Sequence, residues 1–195
     1  MAAKAKIDVS LRQFPKGYWK YLLVTAVFGL GNFSNSFLIL RTQDIGTPLE
    51  ITILIYALFN LVAALISYPA GSFSDRWGRK NVLLASFIIF LIAYLGFALA
   101  QNILLIAALF VFYGLYQGIF RAVGKAFASD FVPEYLRASG VGWYSTTVGL
   151  LQLVASVVAG LLWDRVGHAA VFYYGAVFAA AGSIGLLLLT PKMVD

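Results

Sequence analysis

The sequence contains no cysteine, one histidine and few charged side chains, and each shortage excludes a class of site. Without cysteine there is no disulfide, no thiolate metal site and no cysteine nucleophile. The single histidine, His168, cannot build a histidine metal cluster, and we predict neither a metal site nor a cofactor. Charged residues make up 11% of the chain, against about 25% in soluble domains. A soluble domain with a charged surface is therefore excluded.

Apolar residues dominate instead, at 62% of the 195 residues. A helix needs roughly 20 apolar residues to cross the hydrocarbon core of a bilayer. The chain has six continuous apolar runs, at residues 18–40, 51–73, 81–100, 103–127, 138–163 and 169–189. They do not alternate with period two, as strands of a membrane β-barrel do. The sequence thus predicts an all-α membrane protein with six transmembrane helices.

The rest of the chain is short, which leaves no room for a separate soluble domain. We divide it into a basic, polar leader at residues 1–17, a bundle at 18–190 and a tail at 191–195. No small-residue cleavage site follows the leader, so we predict no cleaved signal peptide. Only two of the 14 Lys and Arg residues, Arg41 and Arg165, fall on the side away from the termini. The positive-inside rule then predicts cytoplasmic termini, and we interpret the net charge of +6 in this way rather than as nucleic-acid binding.

An internal repeat relates the two halves of the bundle. Residues 70–78 and 159–167 both read A-G-x-x-x-D-R-x-G, 89 positions apart, and they end spans 2 and 5. The second copy of the motif contains Gly160, Asp164, Arg165 and Gly167. Segment 18–100 therefore repeats as segment 103–190, and because three spans is an odd number, the second copy is inverted. Inverted repeats of this kind are typical of secondary transporters.

The first copy continues into a basic loop, G-x-x-x-D-R-x-G-R-K. Its residues are Gly71, Asp75, Arg76, Gly78, Arg79 and Lys80. We expect Gly71 to let two helices approach closely and Gly78 to supply a turn conformation that other residues resist. Asp75 can accept hydrogen bonds from a helix N-terminus or pair with an arginine. The three cations suit the anionic inner leaflet, at about 1 kcal/mol of attraction each.

This motif, with the span count, the repeat and the orientation, closely resembles the major facilitator superfamily. That family has twelve helices in two six-helix halves, each half a 3+3 inverted repeat, so the resemblance implies half of that fold. It also implies transport rather than enzymatic activity. In the family the motif loop is a conformational latch. By resemblance, Asp75 would dock on the N-terminal end of span 5 in one state and release it in another.

Three departures from the family's first half suggest that this chain is the C-terminal half. The first half often carries R-x-x-Q-G in its fourth helix, whereas here Gly114 precedes Gln117-Gly118. Span 5 lacks the proline of the antiporter pattern G-P-x-x-G-G, and the basic leader is similar to the linker that joins two halves. The implied partner is a second six-helix bundle, either an N-terminal half or a dimer mate.

Polar residues within the spans concentrate in spans 1 and 4. Asn32 and Asn35 lie near one face of span 1, and Tyr113, Gln117 and Arg121 form an i, i+4 stripe on span 4. Polar groups in hydrocarbon usually face the bundle interior, and in the resembled family the first helix of each repeat lines the central cavity. We predict that these five residues line a cavity. Hydrogen bonding between helices is the alternative for the amides, and snorkelling is the alternative for the arginine.

The other spans carry weaker signals. Spans 3 and 6 are nearly bare of polar residues, and we expect them to face lipid. Span 5 contains small-xxx-small pairs that include Gly149 and Gly160, which predict close helix packing. No acidic residue lies in the middle of a span, so proton coupling is possible but not evident.

The leading hypothesis is a secondary transporter that moves a small solute by alternating access in a bacterial cytoplasmic membrane. A membrane enzyme is disfavoured because neither H-E-x-x-H nor G-x-S-x-G occurs. A channel filter such as T-V-G-Y-G is also absent. A non-transporting six-helix scaffold or a channel-like protein stays as the alternative.

Overall fold

A computed structural model describes residues 13–190; the tail and residues 1–12 of the leader lie outside the described residues. The α-helices are α1 (Lys16–Gly31), α2 (Ser36–Asp44), α3 (Leu49–Trp77), α4 (Arg79–Leu99), α5 (Ile103–Asp130), α6 (Arg137–Arg165) and α7 (His168–Leu189). A short 3-10 turn, Glu134–Leu136, precedes α6. Together α1 and α2 form the first of six helical spans long and apolar enough to cross a membrane. The predicted all-α fold with six spans is confirmed.

The first span is broken, where the sequence predicted one continuous helix. α1 ends at Gly31 and α2 begins at Ser36, and the four residues between them are not helical. Glycine, asparagine and serine fill most of the segment from Gly29 to Ser36. Glycine has a high entropic cost in a helix, and Asn and Ser side chains compete for backbone hydrogen bonds. Asn32 and Asn35 therefore lie in a break of the backbone rather than on the stripe of a helix.

The packing of the helices reproduces the repeat. The first helix of one repeat, α1, packs against α6 and α7, and the first helix of the other, α5, packs against α3 and α4. The third helices, α4 and α7, pack against each other. Exchanging the two repeats leaves this scheme unchanged, so the predicted 3+3 inverted repeat is confirmed. Below, the end of the bundle that holds the start of α1 and the end of α7 is called the terminal end, and the other is called the opposite end.

Close helix crossings occur at other glycines than those predicted. A Cβ added to Gly118 of α5 would lie 2.5 Å from the carbonyl oxygen of Ala63 on α3. At Gly71, Gly149 and Gly160, by contrast, an added Cβ would meet no atom within 4 Å. The close approaches expected at these three glycines do not occur with another helix of this bundle. The spacing of small residues shows which face of a helix has short side chains. It does not show which other helix packs against that face.

The exposed surface is also distributed differently from the expectation. The third helices, α4 and α7, bury one side and expose apolar side chains such as Ile92 and Val177 on the other. The second helices, α3 and α6, are the least buried of the six spans. Their exposed side chains are also apolar, including Leu65 and Leu153. The number of polar residues in each span therefore does not identify the two helices that are most exposed.

Candidate functional site

A cavity of about 300 Å³ opens beside the break between α1 and α2. Its lining residues are Asn32, Ser34, Asn35, Ser36, Ile39, Tyr56, Gln117, Phe120, Arg121, Val148 and Gln152. They come from the first span, α3, α5 and α6, and none of them is acidic. Four of the five predicted cavity residues are in this set. The fifth, Tyr113, is not in the lining but contacts one of its residues, Asn35.

Tyr113 joins the two repeats at the cavity wall. Its hydroxyl, on α5, donates a hydrogen bond to Asn35 Oδ1 in the break, with 2.8 Å between the oxygens. Tyr113 itself is fully buried. A buried hydroxyl with a partner fixes the group that it contacts. This bond therefore orients the Asn35 amide at the edge of the cavity.

Gln117 and Arg121 pair along one face of α5. With the Gln117 amide turned so that its oxygen faces the guanidinium, that oxygen accepts hydrogen bonds from Arg121 Nε at 3.1 Å and from Nη2 at 2.7 Å. This orientation satisfies both groups, which is how amide orientation is assigned. Gln117 is buried and Arg121 is exposed to the cavity. The pair presents a fixed positive charge there.

Seven of the eleven lining residues were not among those predicted, and four of these seven are polar: Ser34, Ser36, Tyr56 and Gln152. Ser34 lies in the break, Tyr56 lies on α3 and Gln152 lies on α6. The Ser34 backbone N–H also donates to Ser156 Oγ of α6 at 3.0 Å, which satisfies one backbone group of the unwound segment. The available signal was the single amide, Gln152, within the apolar run of α6. Across residues 13–190 the His, Asp and Glu side chains form no group suited to a metal ion.

The predicted motif loop lies at the terminal end, away from the cavity. Arg79, the first residue of α4, donates from Nη1 to Asp130 Oδ1 at 2.5 Å and to the Ala126 carbonyl oxygen at 2.9 Å. Its Nη2 lies 3.3 Å from Oδ1 of Asp75, one turn earlier in the chain. Asp75 is therefore held by Arg79 in this conformation, rather than docked on the start of α6. Arg79 thereby joins the α3–α4 turn to the end of α5.

The remaining motif residues shape the same turn. Gly78 separates α3 from α4 with a φ of 82°, a conformation that residues with a Cβ adopt with strain. Lys80 donates to the carbonyl oxygens of Leu187 at 3.0 Å and of Thr190, and so places a cation at the C-terminal end of α7. Arg76 is exposed, and the ion pairs of the described residues do not include it.

The second copy of the motif forms a related arrangement at the opposite end. Gly167 separates α6 from α7 with a φ of 120°. His168, which follows it as Arg79 follows Gly78, places Nδ1 3.1 Å from Asp44 Oδ2. Each pair thus joins the start of a third helix in one repeat to the end of the first span in the other. Asp164 and Arg165 are exposed, and the described ion pairs include neither.

Arg41 completes the opposite end. It is 4% exposed, and its guanidinium donates hydrogen bonds to three acceptors. Its Nε donates to the carbonyl oxygen of Phe97 at 3.1 Å, its Nη2 to that of Ala100, and its Nη1 to Asp44 at 2.6 Å. A buried guanidinium is stable only with such partners. Arg41 therefore caps the C-terminal end of α4.

These features, an inverted 3+3 bundle with a polar cavity between its first helices and a motif turn at each end, agree with the family comparison. The model of the Major Facilitator Superfamily matches residues 21–194. The chain belongs to the major facilitator superfamily. Family membership and the six apolar helical spans of the described residues make it an integral membrane protein.

Relatives from distant organisms agree with this assignment. An uncharacterized MFS-type transporter of Methanocaldococcus jannaschii is 39% identical over 194 residues, which cover 95% of this chain and 48% of the relative. One from Mycobacterium tuberculosis is 26% identical over 81% of this chain and 38% of its own length. One from Bacillus subtilis is 22% identical over 97% of this chain and 49% of its own length. The chain thus spans at most about half the length of these relatives.

Proposed function

We propose that this chain is the C-terminal six-helix half of a secondary transporter, which moves a small solute across a bacterial cytoplasmic membrane by alternating access. The observation that carries the proposal is the cavity at the break between α1 and α2. There the first helices of the two repeats meet, and Asn35 and Gln117 face the same space. The cavity is this half's share of the substrate site.

The break itself supports a binding role. Non-helical backbone at membrane depth is tolerated only where it is buried in protein or lines a water-filled cavity. Discontinuous helices at an interface between repeats are a common way to build substrate sites in transporters. The break between α1 and α2 lies where the two repeats meet, and three of its residues, Asn32, Ser34 and Asn35, line the cavity. Its backbone is also partly satisfied by protein, because Ser156 accepts a hydrogen bond from the backbone N–H of Ser34.

A second six-helix bundle is the proposed partner, whether an N-terminal half or a dimer mate. It would cover α3 and α6, the least buried spans. Their glycines with open space, Gly71, Gly149 and Gly160, leave room for close contact with another helix. The relatives, which are about twice as long as this chain, support the same partner.

The motif turn at the terminal end is proposed as the conformational latch. Twelve of the 14 Lys and Arg residues belong to the side of the termini, which supports a cytoplasmic location for this end. In the present conformation Asp75 is paired with Arg79. A different partner for Asp75, at the start of α6, would characterise the other state. Proton coupling remains possible, although no acidic residue lines the cavity.

Uptake into proteoliposomes tests transport against the scaffold and channel alternatives. This chain would be reconstituted with its second six-helix half and offered a panel of labelled solutes. Saturable, concentrative uptake supports a secondary transporter; passive conductance favours a channel. Absence of flux for every solute favours a scaffold.

A matched pair of variants then tests the cavity. Gln117→Ala removes the amide that holds Arg121. Because hydrogen bonds to charged groups are worth about 1.5–3 kcal/mol, we expect uptake to fall by about tenfold or more. Gln43→Ala removes the same side chain at an exposed position outside the cavity, and we expect it to transport normally. Equal behaviour of the two variants would contradict the assignment of the site.

A further inference from the structure

Arg121 is the one cation among the residues that line the cavity, and no carboxylate balances it there. Of the acidic residues in the ion pairs of residues 13–190, Asp44 lies at the opposite end, and Asp75 and Asp130 lie at the terminal end. We infer that the transported solute is a small anion whose charge is on oxygen, as in a carboxylate or a phosphate. This inference rests on the proposed function and names its substrate class.

The arginine is held in place but retains free donors. A guanidinium has five N–H groups, and the Gln117 oxygen accepts from Nε and Nη2 of Arg121. The remaining N–H groups lie at the cavity, where a planar, two-oxygen acceptor can bind in bidentate fashion. Neutral acceptors such as Gln117 do not neutralise the charge. An oxyanion would accept these hydrogen bonds and would also neutralise the charge of Arg121.

A second polar group in the cavity also lacks a partner. Asn32 is only 6% exposed and lines the cavity, yet the hydrogen bonds within residues 13–190 use its backbone N–H and not its side chain. Its amide is not among the fully buried, unpartnered polar groups of the described residues, so it is open to the cavity. Its NH₂ group is a suitable donor for a ligand oxygen. Asn32 and Arg121 reach the same space from different repeats.

The start of α2 adds to the positive potential. α2 begins at Ser36 beside the cavity, and its first turn contains no acidic residue. The N-terminus of a helix behaves as roughly half a positive charge. This helix end would not make a site alone, but it reinforces the sign set by Arg121.

A second cavity extends the same charge toward the terminal end. It has a volume of about 290 Å³ and shares Phe120, Arg121 and Val148 with the first cavity. It adds Lys125, one turn beyond Arg121 on α5, and again has no acidic residue in its lining. Two cations one turn apart on α5 therefore line these adjoining cavities. Such a lining favours anions and opposes cations.

The test uses the assembled transporter in proteoliposomes. The probes are labelled succinate, citrate and inorganic phosphate as anions, glucose as a neutral solute, and tetraphenylphosphonium as a cation. The variants are Arg121→Gln, which removes the charge, and Arg121→Lys, which keeps it. Lys20→Gln removes an exposed charge outside both cavities and serves as the control. A thermal-shift measurement of citrate binding, which does not depend on flux, accompanies each variant.

We expect at least one anion to be taken up, at a rate that falls tenfold or more in Arg121→Gln. Arg121→Lys should retain more of the uptake, and Lys20→Gln nearly all. Uptake of glucose or tetraphenylphosphonium but of no anion would overturn the inference and leave the proposed function intact, as would anion uptake that Arg121→Gln does not change. Arg121-dependent stabilisation by citrate without any uptake would support the anion site and count against transport. Absence of both uptake and stabilisation would overturn both.

Discussion

Gly118 lies where α5 packs tightly against α3, next to Gln117 in the cavity lining. A Cβ added there would lie 2.1 Å from Ile66 Cγ2 and 2.5 Å from the Ala63 carbonyl oxygen. The Ile66 side chain can rotate away, but the carbonyl belongs to a helical backbone. Gly118→Ala therefore forces α3 and α5 apart. Overpacking of this kind costs about 1–3 kcal/mol.

The control for this prediction is Gly142→Ala on α6. An added Cβ at Gly142 would meet no atom within 4 Å. Both substitutions gain the same helix propensity, about 1 kcal/mol, so the difference between them isolates the clash. We expect Gly118→Ala to be less stable than Gly142→Ala by about 1–3 kcal/mol.

Thermal unfolding of the purified chain in detergent, followed by far-ultraviolet circular dichroism, measures this difference. For a chain of this size each kcal/mol shifts Tm by about 2–4 °C. The expected order is a lower Tm for Gly118→Ala than for Gly142→Ala. If Gly118→Ala melts at the same temperature as Gly142→Ala or higher, α3 and α5 do not cross here and the packing that supports the cavity is wrong.

Two further predictions concern the ends of the bundle. Asp75→Asn weakens the contact with Arg79 and should shift the inward/outward balance in a site-directed accessibility assay. Asp164→Asn, the same change at the repeat-related position, should not, and equal effects would refute the latch. His168→Arg places a permanent cation where the imidazole lies 3.1 Å from Asp44. It should strengthen this contact by about 0.2–1 kcal/mol and raise Tm; a lower Tm would contradict this.

The repeat extends beyond the residues that are identical in the two copies of the motif. The 89-residue offset that relates Asp75 to Asp164 also relates Arg79 to His168. That second correspondence has chemical meaning only because each side chain pairs with an aspartate of the other repeat. Arg and His are different residue types, so a search for identical letters does not find it.

The site was predictable in part. Asn32, Asn35, Gln117 and Arg121 could be singled out because polar side chains are conspicuous in apolar runs. Gln152 carried the same signal more weakly. The break could not be read from periodicity, because the asparagines are spaced as they would be on a helix face. Its signal was the density of Gly, Asn and Ser around them, which depresses helix formation locally.

The sequence by itself determined the number of spans, the fold class and the inverted repeat. Those properties depend on hydropathy and spacing along the chain, which the order of residues contains directly. Only the tertiary structure decided which glycines meet another helix and that Tyr113 reaches Asn35. It also decided that Arg79 contacts both Asp75 and Asp130. These contacts depend on how each helix is rotated and shifted against its neighbours, and the pattern within one helix leaves that free.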